Sequence, residues 1–132
     1  MTDSAFNLDR LAAETAQDIV SGVDRQEAKD LERLVNKALG VLQEHGVYAL
    51  MLFLFSRSGS EDEMAKKIRP CLHQALRKLP AFGGMSIQDD LKSSLEFYTT
   101  HVLGNLDTLL LVRDLYEQIL IYTRYGAKAI GR

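Results

Sequence analysis

The sequence has no tryptophan, one cysteine, two prolines and no unbroken apolar run longer than nine residues. Cys71 by itself cannot form an internal disulfide, nor can a zinc site of the Cys₂His₂ or Cys₄ type be assembled. A lone thiol suits a reducing compartment. The longest apolar run, Val47 to Phe55, is less than half the roughly 20 residues of a membrane-spanning helix. Asp3, Asp9, Glu14 and Asp18 fall in the first 20 residues, a pattern of neither a secretory signal nor a mitochondrial presequence. A cytoplasmic protein without membrane contact is expected. Catalytic signatures are missing too. Gly59 and the Gly83-Gly84 pair lack the setting of a phosphate-binding loop, and there is no HExxH, no GxSxG and no ExxH of di-iron bundles. The expectation is no enzyme, no catalytic residue, no metal and no cofactor.

Helical periodicity, by contrast, is nearly everywhere. Leu8, Leu11, Ala12, Thr15, Ala16 and Ile19 make one apolar stripe, with Asn7 or Ser4 as its N-cap. Leu31, Leu34, Val35, Ala38, Val41 and Leu42 make a second, and Gly46 is a natural stop. The run from Val47 to Phe55 is apolar all round, which predicts a helix buried on most sides, so that Leu52→Asp should unfold the protein. Ser60-Glu61-Asp62-Glu63 reads as a capping box ahead of a stripe of Met64, Ile68, Cys71, Leu72, Ala75 and Leu79, with Pro70 expected to kink or split that helix near Arg69. Ser86 to Asp89 starts another helix, carrying Ile87, Leu91, Leu95, Tyr98 and Val102, and Gly104-Asn105 ends it. From Leu106 to about Ala129 runs a long helix capped by Asn105 or Asp107, with an apolar arc wide enough to be central or shared with a partner. The 132 residues therefore predict an all-α fold, a single compact bundle of about six helices spanning 1–132 as one domain.

Charge is uneven behind a net −2. Residues 1–63 carry net −6 and residues 64–132 net +4. Lys66, Lys67, Arg69, Arg77 and Lys78 place five cations and no acid in 13 residues. On a helix, Lys66, Arg69, His73 and Arg77 step by three or four and should form one ridge opposite the apolar stripe, a geometry for meeting a row of phosphates or, more blandly, a solvated basic face. Arg124 and Lys128, four apart beside Tyr125, interleave cations with an aromatic ring, as in base-stacking surfaces, although a helix C-terminus also favours cations. His73 and His101 could meet across a helix pair, but no carboxylate–His pairing at i, i+4 suggests a metal site. Helical HEPN-type nucleases space an Arg and a His four to six residues apart; Arg69 and His73 have three between them. Cys71 and His73 do not face each other on a helix, so Cys71 reads as a core residue rather than a thiolate nucleophile.

Two segments carry a family resemblance. Gln43-Glu44-His45-Gly46, followed by the apolar run and Ser56-Arg57, resembles the helix–Gly–apolar-helix segment of the small α-helical subunit of type III-B CRISPR RNA-guided effector complexes. Leu111 to Tyr116 with Tyr122 to Ala129 resembles that family's closing helix; Tyr122 stands where the family often has tryptophan and Asp114 where it has Glu. The resemblance implies a non-catalytic structural subunit of a ribonucleoprotein in antiviral defence. Its copies would stack on one another and on other subunits into a minor filament lining the crRNA–target RNA groove, each binding RNA weakly alone. Arg124 and Lys128 match the family's basic closing helix, whereas Lys66, Lys67, Arg69, Arg77 and Lys78 rest on the charge argument alone. The competing reading is a helical protein-interaction or homodimerisation module that binds no nucleic acid.

Overall fold

A computed structural model describes residues 7–132. Its helices are α1 (Leu8–Ser21), α2 (Ala28–His45), α3 (Val47–Phe55), α4 (Gly59–Arg77), α5 (Leu91–Phe97) and α6 (Leu106–Ile130), with a 3₁₀ turn at Pro80–Phe82 and a π-helical turn at Tyr98–Val102. The described residues contain no β-strand, and no helix among them is long and apolar enough to cross a membrane. The all-helical expectation holds, down to several ends. Asn7 caps α1, its Oδ1 accepting from the Arg10 amide at 2.9 Å; Ser4, the alternative cap, lies outside the described residues. Asn105 caps α6 in the same way through the Thr108 amide at 3.0 Å.

α6 is the centre. It packs against α1 on one side and α2 on the other, burying Val112, Leu115, Tyr116, Ile119, Leu120, Thr123 and Ala127. Of the two placements open to its wide apolar arc, central burial holds along this inner face. α1 and α6 meet closely at Gly126: a Cβ there would sit 2.9 Å from Val20 Cγ2, so a larger residue would force the Val20 side chain or the helices to shift. Gly46 lets α2 turn directly into α3. Its φ of 95° is in the region that glycine tolerates and other residues resist. Its N–H still closes the last turn of α2 on Leu42 O (3.0 Å), and its carbonyl opens α3 by accepting from Leu50 (3.1 Å).

Four expectations need correction. First, α3 is buried on most sides as expected, but not at Leu52. It meets α2, α4, α5 and α6; Val47, Leu50, Met51 and Leu54 are buried on one side at helical spacing, and Leu52 on the other side is 43% exposed. An all-round apolar run reports low polarity, not which sides have neighbours. Leu52→Asp is therefore expected to fold, losing no more than about 1 kcal/mol in a denaturant titration. Second, of the kink or split expected at Pro70, the split does not occur: α4 runs through as one helix. Pro70 is exposed, so the Lys66 carbonyl that loses its donor can turn to water. Third, the capping box does not form. The helical ladder begins earlier, with the Asp62 amide on Ser58 O (3.3 Å), and Glu61, between the two box residues, pairs with Lys37 Nζ (2.6 Å) and Arg57 (3.2 Å). The Lys37 hydrogen bond holds the Glu61 carboxyl below its usual range. Fourth, α5 starts later than Ser86–Asp89. Asp90 is its cap, accepting from the Ser93 amide at 2.8 Å, which leaves Asp89 for another task.

Candidate nucleic-acid interface

The proposed ridge on α4 is dismantled by the fold. Arg69 is 6% exposed and His73 4% exposed. Arg69 lies four residues after Ala65 and three before Leu72; His73 lies four after Arg69 and three before Leu76. Ala65, Leu72 and Leu76 are all buried, so the two polar residues lie on an apolar edge of the helix, not opposite it. α4 buries a wide arc because α1, α2 and α3 all pack on it. Arg69 answers its burial with a carboxylate, a carbonyl and an aromatic ring. Its Nε donates to Asp89 Oδ1 at 3.0 Å, a terminal nitrogen donates to Leu54 O at 3.0 Å, and its guanidinium stacks 4.1 Å from the Phe55 ring centroid.

The other α4 cations stay nearer the surface but are mostly engaged. Lys66 pairs with Asp62 at 3.2 Å along the same helix. Lys67 reaches α1's end, donating to Gly22 O at 2.7 Å with Glu27 at 3.9 Å. Arg77 donates to Met85 O at 2.7 Å. Lys78, exposed at the helix end, meets no acid among the described residues.

Below Arg69 the burial gathers a polar chain that periodicity alone did not reveal. His73 Nε2 is 3.3 Å from Asp89 Oδ1, and its Nδ1 is 3.2 Å from Tyr98 Oη. Tyr98 Oη is 2.6 Å from Tyr116 Oη, which in turn is 3.2 Å from Leu72 O. Burial pushes both phenols above their ordinary range. Burial also holds His73 below the ordinary imidazole range, with Asp89 pulling the other way. An Asp–His–Tyr sequence of contacts resembles a nucleophile relay, but Tyr98 and Tyr116 are fully buried, so no substrate atom can approach either oxygen. The chemistry is that of a core hydrogen-bond network. One sign was present in the sequence: Tyr98 on the apolar stripe of its helix carries a polar tip that a buried site must satisfy, whereas His73 was expected on the outer ridge.

His101 does not join this chain. It stands on the exposed side of the π-helical turn, 4.8 Å from the Phe97 ring centroid. Cys71 is half-buried, and burial followed by the charge of Asp18 raises its thiol, the opposite of an activated nucleophile. Among the described residues no group of three or more His, Cys, Asp or Glu side chains could hold a metal ion.

The closing helix keeps more of its expected surface. Arg124 and Lys128 meet no acid among the described residues, and the Arg124 guanidinium lies 5.1 Å from the centroid of the Tyr125 ring, itself 59% exposed. Tyr122 is engaged from the other side of α6: its hydroxyl donates to the Asp9 carboxylate on α1, a bond that raises its pKa. The seven proposed contacts thus separate into one buried residue (Arg69), three tethered to an acid or a carbonyl (Lys66, Lys67, Arg77) and three that meet neither among the described residues (Lys78, Arg124, Lys128). Set against family models, curated proteins and solved structures, the chain matches none.

Proposed function

We propose that this chain is a non-catalytic helical subunit of a type III CRISPR ribonucleoprotein effector, a cytoplasmic protein that stacks beside the crRNA–target RNA duplex and touches its backbone with cations. The observation that carries this reading is the end of α6, where Arg124 and Lys128 stand one turn apart, with Tyr125 exposed beside them and no acid to quench them among the described residues. These are the residues that match the family's basic closing helix. Further support comes from the passage α2–Gly46–α3, where a glycine joins two helices at the place the resemblance requires. Lys78 adds a third available cation, whereas Lys66, Lys67 and Arg77 would have to leave internal partners to reach a phosphate. Arg69 is removed from the contact set by its burial.

So few free cations imply weak binding by an isolated copy and dependence on neighbouring subunits. The test is co-purification of the tagged chain with its natural partners, followed by sequencing of bound RNA and a salt titration of binding. Arg124→Glu with Lys128→Glu should abolish RNA association of the isolated chain and, short of that, reduce the magnitude of the log–log salt slope by about 1.4 to 1.8. Salt-independent binding, or full binding by the double variant, counts against the proposal.

A second reading is a protein-interaction or homodimerisation module without nucleic acid. Leu106 at 68% and Leu110 at 47% exposure, four residues apart near the start of α6, favour it. Light scattering that finds a stable dimer, together with no RNA shift at low salt, would select that reading.

A further inference from the structure

The polar atoms around His73 can be satisfied in two ways. Asp89, from the stretch ahead of α5, faces Nε2 at 3.3 Å, and Ser94 of α5 brings its Oγ to 3.5 Å from the same nitrogen while donating to Gln88 O at 2.8 Å. Tyr98 of the π-helical turn faces Nδ1, and Tyr116 of α6 stands behind it. With a neutral ring, Nε2–H donates to Asp89, the Tyr98 hydroxyl donates to Nδ1, and the Tyr116 hydroxyl donates to Tyr98. With a second proton, Nδ1–H donates to Tyr98, which donates to Tyr116, which donates to Leu72 O. No donor is stranded in either state; only two hydroxyl protons turn round.

Charge is not balanced equally in the two states. The single negative charge of Asp89 already serves Arg69, one turn before His73 on α4, so a protonated ring would be a second cation beside one carboxylate in a water-poor site. α3 brings no charged group: its Leu54 carbonyl accepts from Arg69 and its Phe55 ring stacks on the same guanidinium. From α1, Asp18 acts on Cys71.

We propose that the Asp89–His73–Tyr98–Tyr116 chain is a proton-operated latch, in which the neutral ring holds the segment 89–102 against α4 and α6 and the protonated ring releases it. The geometry places the ring at the joint: Asp89, Ser94 and Tyr98, all from that segment, converge on this one side chain from three consecutive pieces of structure. Released, His73 faces water and titrates near the ordinary imidazole value of about 6.5. Docked, it titrates lower. The released form therefore binds the proton more tightly. Docking is complete above pH about 6.5 and weakens as the pH falls through that value toward the docked ring's own pKa, by at most about tenfold per pH unit for one proton. The latch stands independently of what the chain binds.

Two measurements on the full chain decide it. Hydrogen exchange between pH 5 and 8, corrected for intrinsic rates, should show protection in 91–102 falling by up to about tenfold per unit below pH 6.5 while α2 and the middle of α6 hold; in His73→Gln the selective fall should vanish. Nitrogen-15 NMR should find the Nε2-protonated tautomer at pH 8 and a ring midpoint below 6.5, a readout that needs no variant to fold. A midpoint at or above 6.5, the opposite tautomer, or loss of protection that is equal in all helices would overturn the latch.

Discussion

Lys66, Lys67, Arg69 and Arg77 of α4 end on acids or carbonyls of their own chain, while Arg124 and Lys128 of α6 meet no acid among the described residues. Both stretches are basic and both lie on helices, so they are alike as strings of letters. They differ in their neighbours. α4 is packed by three helices and by the segment leading into α5, and its cations must be matched where they are buried. Near its end α6 turns the Thr123 and Ala127 side inward and the Tyr125 and Lys128 side outward, so its cations remain available. Cation density measures an interface poorly; the count that matters is of cations whose partners the fold does not already supply.

The largest expected effect that sharpens this contrast is at Asp89. Asp89→Ala strands the Arg69 guanidinium and removes the carboxylate facing His73, and should cost about 3 kcal/mol by urea denaturation. This sits at the low end for a broken buried pair because the Asp89 side chain is itself 27% exposed. A loss near zero would mean that Arg69 is free after all, and α4 would resemble α6. Next comes Thr123, next to Arg124 on the inner side of α6. Its Oγ1 is buried without a hydrogen-bond partner among the described residues, so Thr123→Val should raise stability by about 1 kcal/mol, seen as a melting temperature about 3 °C higher. The smallest effect on stability belongs to Arg124→Glu with Lys128→Glu, under about 0.5 kcal/mol in the same assay, even as RNA association is lost. A large loss there would show that these cations support the fold, and the contrast would collapse.

The pattern of apolar residues made most of the fold legible. The caps Asn7 and Asn105, the turn at Gly46 and the extent of α6 follow from local chemistry: an amide acceptor placed three residues before an orphan donor, or a glycine where φ must be positive. The site was less legible because burial of a polar residue depends on what lies across from it. Arg69 and His73 fall on an edge marked by Ala65 and Leu76, two residues absent from the stripe first traced along this helix. Asp89 looked like a helix start, and only the approach of the α5 segment to α4 turns it into the counter-ion of a buried guanidinium. Leu52 shows the converse: an apolar residue in an apolar run that the fold leaves 43% exposed.

The sequence alone determined that this protein is built of helices, roughly where each begins and ends, and that its positive charge lies in the later half, because those properties depend on residues a few positions apart. Which cations are spent inside the molecule and which face outward was decided only by tertiary structure. Pairing and desolvation depend on groups such as Asp89 and Arg69, 20 residues apart along the chain and 3.0 Å apart in space.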